Sequence, residues 1–265
     1  MSPGTTSEPA QPAVRVANAS KAFVSPAGSH LALQAVDLSV AAGRFVSIVG
    51  PSGCGKSTLL RLVSGLYPPT QGTIALFGHS PQRFRREGRI GFVFQDATLL
   101  PWRTAMGNVV FPLGIMKLGD RDRRGATAKR FLELVGLGDR TGAYPSQLSG
   151  GMRQRVSIAR ALACEPRLLL MDEPFGALDE FTRHDLNEEL DRICAATGQT
   201  TLFVTHSLAE ALFLADEVVV MAANPGRVIG IMPVRLPRPR TYGLRSAPEF
   251  AAQLAELEAI FRARG

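Results

Sequence analysis

The sequence predicts an α/β domain built on a mostly parallel, covered sheet, with a helical subdomain inserted into it. Three observations carry this. Short apolar runs at residues 168–171, 201–205 and 217–221 read as buried strands and alternate with helical stretches, as in a sheet covered on both faces. A glycine-rich segment stands directly between a compact apolar strand, residues 44–49, and a helix. From Asp96 to Gln147 the texture changes to helix and loop with no clear strand, as an insertion would.

The elements follow in order. Residues 1–13 are rich in Ser, Thr, Pro and Gly, with neither a basic nor an apolar region of a signal peptide, and read as a flexible tail. Residues 14–23 read as a strand, 25–29 as a turn, and 33–40 as a partly alternating strand. The helix after the glycine-rich loop is read at 59–66, where Leu59, Leu62, Val63 and Leu66 follow helical spacing, and Gly65 with Pro68 and Pro69 marks its end. Residues 73–77 and 90–94 read as further strands, and helical periodicity returns at 151–163. Residues 246–264 read as an amphipathic helix, with Phe250, Leu254, Leu257 and Phe261 on one face and a capping box between Ser246 and Glu249. The expected division is a tail (1–13), a main α/β domain (14–240) with its helical insertion at about 96–150, and a C-terminal helix (241–265).

Composition sets limits. The 265 residues are 45% apolar and 20% charged, which excludes wholesale disorder and fibrous repeats. The net charge of +7 is nearly all arginine, since Lys21, Lys56, Lys117 and Lys129 are the only lysines. Such a balance admits nucleic acid, an anionic membrane surface or a phosphate-bearing ligand. No apolar stretch approaches the ~20 residues of a membrane span. Three cysteines, Cys54, Cys164 and Cys194, without a CxxC pair, argue against a disulfide framework or zinc site and fit a reducing cytoplasm.

Chemistry concentrates in three segments. Gly50, Pro51, Ser52, Gly53, Cys54, Gly55, Lys56, Ser57 and Thr58 satisfy G-x-x-x-x-G-K-[ST] between strand and helix. Glycines let backbone N–H groups wrap a phosphate, and the helix N-terminus adds positive potential. Lys56 suits the β- and γ-phosphates, Ser57 a Mg²⁺ ion, and Thr58 a further hydroxyl contact. Cys54 reads either as a small filler or as a redox-sensitive thiol. Second, the apolar strand at 168–171 runs into Asp172 and Glu173. Asp172 suits Mg²⁺, and Glu173 suits polarising water for in-line attack on a γ-phosphate. Third, Ser149, Gly150 and Gly151 open a helix with an N-cap and bare backbone N–H groups, a second anion-binding helix start in the same chain. One nucleotide is already served by the first loop, so the second site points to a dimer closing on its partner's nucleotide.

Together and in this order, the three segments resemble the ATP-binding subunit of ABC transporters over about residues 14–223. The resemblance implies a P-loop NTPase (RecA-like) sheet with a helical subdomain and an antiparallel β subdomain, the ABC ATPase cassette, with ATP and Mg²⁺ as ligands. It implies that Gln95 contacts Mg²⁺ and relays nucleotide state, that Asp179, in the Ala177-Leu178-Asp179 loop, crosses a dimer interface, and that His206 contacts the γ-phosphate. Glu173 matches the catalytic base, and Ser149, Gly150 and Gly151 the signature that acts in trans. Met152 stands where the signature usually has glutamine. Phe23 is the nearest match to the adenine-stacking aromatic, against the alternative of a core phenylalanine.

Residues 95–103 continue as Gln-Asp-Ala-Thr-Leu-Leu-Pro-Trp-Arg. Trp102 reads either as an anchor for an inserted permease helix or as core of the helical insertion. The run resembles the nitrate/sulfonate/taurine import branch, as do Asn224-Pro-Gly-Arg-Val228 and Leu236-Pro-Arg-Pro-Arg240. The expectation is an ATPase dimer at the cytoplasmic face of the membrane, with two integral membrane permease subunits, an extracytoplasmic solute-binding protein acting indirectly, and no nucleic-acid partner. The alternatives are the ATPase of another importer, including bicarbonate or pyrimidine-precursor uptake, of an exporter or lipid transporter, or a soluble ABC ATPase. No regulation through an added β-rich C-terminal domain is expected.

Overall fold

The structure is a computed structural model that describes residues 11–26, 28–176 and 178–263. The expected tail therefore lies mostly outside the described residues, as does Ala177. Ala13 is already buried and donates its N–H to Val40 O at 2.7 Å.

The chain opens with β1 (Val14–Ser25), β2 (Gly28–Val40), β3 (Phe45–Val49), α1 (Lys56–Val63) and β4 (Gln71–Leu76). Then come α2 (Pro81–Arg86), β5 (Ile90–Val93), α3 (Ala105–Ile115), α4 (Arg121–Leu134) and α5 (Gly150–Leu162). β6 (Leu168–Asp172), α6 (Glu180–Thr197), β7 (Thr200–Val204), α7 (Leu208–Leu214), β8 (Glu217–Ala222), β9 (Arg227–Pro233) and α8 (Pro248–Ala263) complete it.

Two sheets result. A six-stranded sheet has the order β5-β6-β7-β3-β8-β9, parallel except for β9, which pairs antiparallel with β8. An antiparallel sheet has the order β2-β1-β4. β3, β6 and β7 are buried at every position. Because successive side chains point to opposite faces, their alternate residues enter two different cores. Val46, Ile48, Leu168, Leu170, Leu202 and Val204 meet α1 and the antiparallel sheet. Phe45, Val49, Leu169, Met171 and Phe203 meet the other helices, including α3, α4 and α5 of the insertion. The parallel sheet, the antiparallel sheet and the helical insertion are thus as the sequence predicts.

Four details depart from the sequence reading. α1 begins at Lys56, because the last residues of the glycine-rich motif already form its first turn, and ends at Val63, leaving Leu66 outside and 46% exposed. α2 was not anticipated. It is a six-residue helix with proline at its start, held by Phe84, which stacks on Phe77 at 5.4 Å. β9 was not anticipated either. It is an edge strand whose apolar residues, 228–232, are interrupted by Gly230 and of which Met232 alone is buried. The Ser246–Glu249 capping box does not form: Ser246 ends a 3-10 turn, Tyr242–Ser246, and α8 starts at Pro248, whose fixed φ suits a first helical residue. The apolar face of α8 is as expected, with Phe250 and Leu257 buried and Leu254 and Phe261 packed against the same core. Burying each of those two side chains is worth about 1.5–3 kcal/mol.

Candidate functional site

The site lies where β3, β6 and β7 end, the edge at which parallel sheets carry their ligands. β3 runs into the loop 50–55 and that loop into α1. Gly53 and Gly55 have φ of +78° and +92°, a region that side chains rarely adopt. Gly50 is fixed by space instead, since a Cβ there would fall 2.6 Å from Cys54 Sγ and 2.7 Å from Met221 O. α1 has no side-chain cap and no acidic residue in its first turn, so its first N–H groups remain for an anion.

Lys56 is 5% exposed, and its ammonium donates to Gly50 O at 2.9 Å and Pro51 O at 3.2 Å. It also stands 3.8 Å from Glu173 Oε1. The Ser57 hydroxyl donates to Asp172 Oδ1 at 2.8 Å. Burial raises the Asp172 carboxyl above its ordinary value, partly offset by the Ser57 hydrogen bond. Two hard oxygen donors meet here, one a desolvated carboxylate that a cation would relieve, so the pair fits Mg²⁺, which takes one or two protein oxygens and keeps water and phosphate.

Glu173 follows β6 with φ +45°, a left-handed conformation that costs a non-glycine residue about 1–3 kcal/mol. It is held by its N–H donating to Val204 O at 2.9 Å. Its Oε2 lies 3.4 Å from His206 Nδ1. Lys56 and His206 therefore both approach Glu173 at the ends of three neighbouring strands.

The cleft above the loop, about 330 Å³, is lined by Lys56, Ser57, Thr58 and Glu173 on one side and by Phe23 and His30 on the other. Phe23 is 37% exposed, meets Tyr67 edge to face at 5.8 Å and carries the Lys21 ammonium over its ring. The core-phenylalanine reading of Phe23 is thereby excluded. His30, directly opposite Phe23 in the β1–β2 ladder, was not found by sequence reasoning, because no motif frames it.

Other expected residues lie outside this cleft. Gln95 is exposed at the end of β5, with its amide nitrogen beside Gly176. Ser149 caps α5 by accepting from Met152 N at 3.2 Å. Gly151 packs so closely that a Cβ would fall 2.7 Å from Thr182 Cγ2. Asp179 caps α6, and the backbone N–H of Thr182 holds its carboxyl below the usual range. The α5 and α6 starts are thus neighbours, exposed at Ser149, Gly150 and Asp179, and none of these three residues lines the cleft above the loop.

The segment between Phe94 and Thr104 is tied down by residues that sequence reasoning missed. Gln154 donates to Phe94 O at 3.1 Å, and Arg160 to Ala97 O and Thr98 O at 2.9 Å each. Asn108 is fully buried, donates to Leu100 O, Arg103 O and Thr104 O, and accepts from Leu100 N. On this rigid loop Trp102 stands 70% exposed, which excludes the core reading.

Cys54 is 0% exposed and its thiol is raised by burial, so it is a filler packed on Gly50. Burial also raises Cys164 to about 11 and Cys194 to about 12. At pH 8 all three remain thiols, and thiolate is the reactive form. Native protein should resist iodoacetamide at pH 8 on a timescale that modifies all three in denaturant, read by intact mass. Because folding raises these values, their contribution to stability is present below pH 9 and is lost as pH climbs toward 11–12.

The ABC transporter family model matches residues 33–176. The nitrate import ATP-binding protein NrtD of Synechocystis sp. is 42% identical, covering 95% of this chain and 96% of its own. The bicarbonate transport ATP-binding protein CmpC of the same organism is 45% identical over 86% of this chain and 34% of its own. An ABC transporter ATP-binding protein of Methanocaldococcus jannaschii is 45% identical over 86% of this chain and 84% of its own. Among solved structures, a dimeric bacterial ABC transporter cassette superposes with a TM-score of 0.76 at 33% identity, covering 84% of this chain and all of that one. The same cassette is known in a dimeric post-hydrolysis state bound to ADP and Pi, with the same score and coverage. With its strand order, its phosphate loop and its paired carboxylates, the chain belongs to the ABC transporter ATP-binding family, as a subunit that binds and hydrolyses ATP to drive transport.

Proposed function

We propose that two copies of this chain sandwich two ATP molecules and drive a pair of integral membrane permease subunits, importing a small oxyanion or sulfonate-type solute. The observation that carries the reading is the division of the machinery. Lys56 and Glu173 line one cleft, with His206 against Glu173, while the exposed α5 start at Ser149 and Gly150 does not line it. A second copy, related by a two-fold axis, would bring each α5 start to the other's cleft.

In each site the backbone of residues 50–55 and Lys56 hold the phosphates, Thr58 adds a hydroxyl, and the Phe23 ring takes the adenine. Ser57 and Asp172, with Gln95, would hold Mg²⁺, which when bound neutralises charge on the phosphate oxygens. Glu173 accepts a proton from the attacking water, and His206 orients Glu173 and meets the γ-phosphate. Ser149, Gly150, Gly151 and Asp179 act across the dimer. The solute class is supported by the nitrate and bicarbonate relatives. Among the described residues no helix is long and apolar enough to cross a membrane, so passage belongs to the separate permease, which we place against Trp102 at the cytoplasmic face. A solute-binding protein outside the membrane supplies the solute.

Two measurements test this. Replacing Trp102 by Ala should leave ATPase activity of the isolated subunit within about twofold and lower transport in the reconstituted complex roughly tenfold or more, since a buried aromatic anchor is worth about 2–4 kcal/mol. Unchanged transport would remove the docking assignment. In the reconstituted complex, ATPase stimulation by binding protein loaded with nitrate, bicarbonate or an alkanesulfonate reads out the solute. Stimulation by none of the three overturns the solute class.

A further inference from the structure

Glu210 lies in the first turn of α7 and is only 5% exposed, although it is a carboxylate with no part in the site described above. The sequence Ser207-x-x-Glu210 would make an ordinary capping box, in which the glutamate returns to the N-cap N–H. Here that return runs through a third residue. The Thr205 hydroxyl donates to Glu210 Oε2, and Thr205 Oγ1 in turn accepts the Ser207 N–H at 3.1 Å. Ser207 Oγ in turn accepts the Glu210 N–H at 3.3 Å. Thr205 N–H is anchored to Ile48 O of β3. Residues 205 and 207 are thus both locked, and the residue between them is His206, whose Nδ1 stands 3.4 Å from Glu173.

Helix capping alone does not account for this carboxylate, because Ser207 already satisfies the Glu210 N–H and an ordinary box would not need a buried acid. Burial of a carboxylate is costly, and it raises the Glu210 carboxyl above its usual range. Arg183 and Asn187 from α6 and Arg245 from the turn at Tyr242–Ser246 face it. Arg183 also donates to Leu178 O, next to Asp179, so the arginine that acts on this acid also holds the loop expected to cross the dimer. The Asn187 amide lies close enough to act on the Glu210 carboxyl and neither Glu210 Oε1 nor the amide has another partner, so an amide at position 210 has the Asn187 carbonyl available to it.

We infer that Glu210 is a positioning residue for ATP hydrolysis: through the Thr205 hydroxyl it fixes the peptide on both sides of His206 and holds the imidazole against Glu173. The inference rests on the assignment of Glu173 and His206 to the hydrolytic site. What Glu210 supplies is an acceptor for the Thr205 proton, which a glutamine carbonyl also supplies.

The experiment compares full-length wild type with E210A, E210Q, T205V, H206A and the H206A/E210A double variant in steady-state ATP hydrolysis. E210A and T205V should lower kcat about tenfold or more with KM for ATP within about threefold, as for a misplaced group acting in the transition state. E210Q should bring kcat back to within about threefold of wild type. In the H206A background, Glu210→Ala should remove little further activity, because both act through one imidazole. A multiplicative loss in the double variant, or an E210Q as slow as E210A, overturns the inference. Undiminished turnover in H206A instead overturns the assignment beneath it, and the two failures are read from different variants. If E210A does not fold, T205V and its combination with H206A carry the same comparison, since valine keeps the threonine shape and removes only the hydroxyl.

Discussion

Replacing Glu173 by Gln is expected to lower ATP turnover by about 10²–10⁴-fold, the range lost when a positioned general base is removed, while nucleotide binding persists. Glutamine has nearly the same shape, and its backbone retains the N–H bond to Val204 O that holds the left-handed turn. Lys56 loses a carboxylate 3.8 Å away but keeps Gly50 O and Pro51 O as acceptors, so the phosphate loop stays built. Removing a negative charge beside the cleft also removes repulsion of the γ-phosphate. Binding without turnover should let an ATP-bound dimer accumulate, visible as a doubled mass by light scattering in ATP but not in ADP. Phosphate release within about threefold of wild type would exclude Glu173 as the base. A variant that no longer binds ATP would show that Glu173 acts in holding nucleotide.

How much of this was legible beforehand follows from how far apart in the chain the interacting groups lie. The phosphate loop, the strand ending in Asp172 and Glu173, and the Ser149 helix start are contiguous, and each carries its own backbone context. A reader of the sequence therefore finds them. The sheet is legible for the same reason: β3, β6, β7 and β8 are short apolar runs, and burial on both faces demands that. The residues that hold the site in place are different. Gln154 reaches the carbonyl of Phe94, Arg160 those of Ala97 and Thr98, and Asn108 those of Leu100, Arg103 and Thr104. Their partners are backbone groups, which look alike at every position, so no side-chain pattern announces the pairing. His30 reaches the cleft only because a hairpin places it opposite Phe23. The Ser246 cap failed because Pro248, two residues on, sets the helix start. α2 escaped because six residues are too few to show a period.

The second large effect concerns the composite site. A K56A subunit and an S149R subunit should each lose ATPase activity by about 100-fold or more on their own, and a mixture of the two should regain it. Lys56 is the buried cation nearest the phosphate loop carbonyls, and alanine takes away its charge without disturbing the sheet. Ser149 is exposed at the α5 start, and arginine there fills the space that a partner's phosphate would occupy. If each cleft is completed by the other copy, every homodimer of either variant has two damaged sites. A mixed dimer instead gathers both substitutions into one site and leaves the other intact. Activity should therefore rise with the fraction of mixed dimers, be greatest at equal amounts, and disappear on crosslinking each variant to itself before mixing. If each copy instead completed its own cleft, no mixture could restore a site, and the rate would stay at the sum of the two variants alone. That outcome would leave the fold and the family untouched and would remove the dimer from the mechanism.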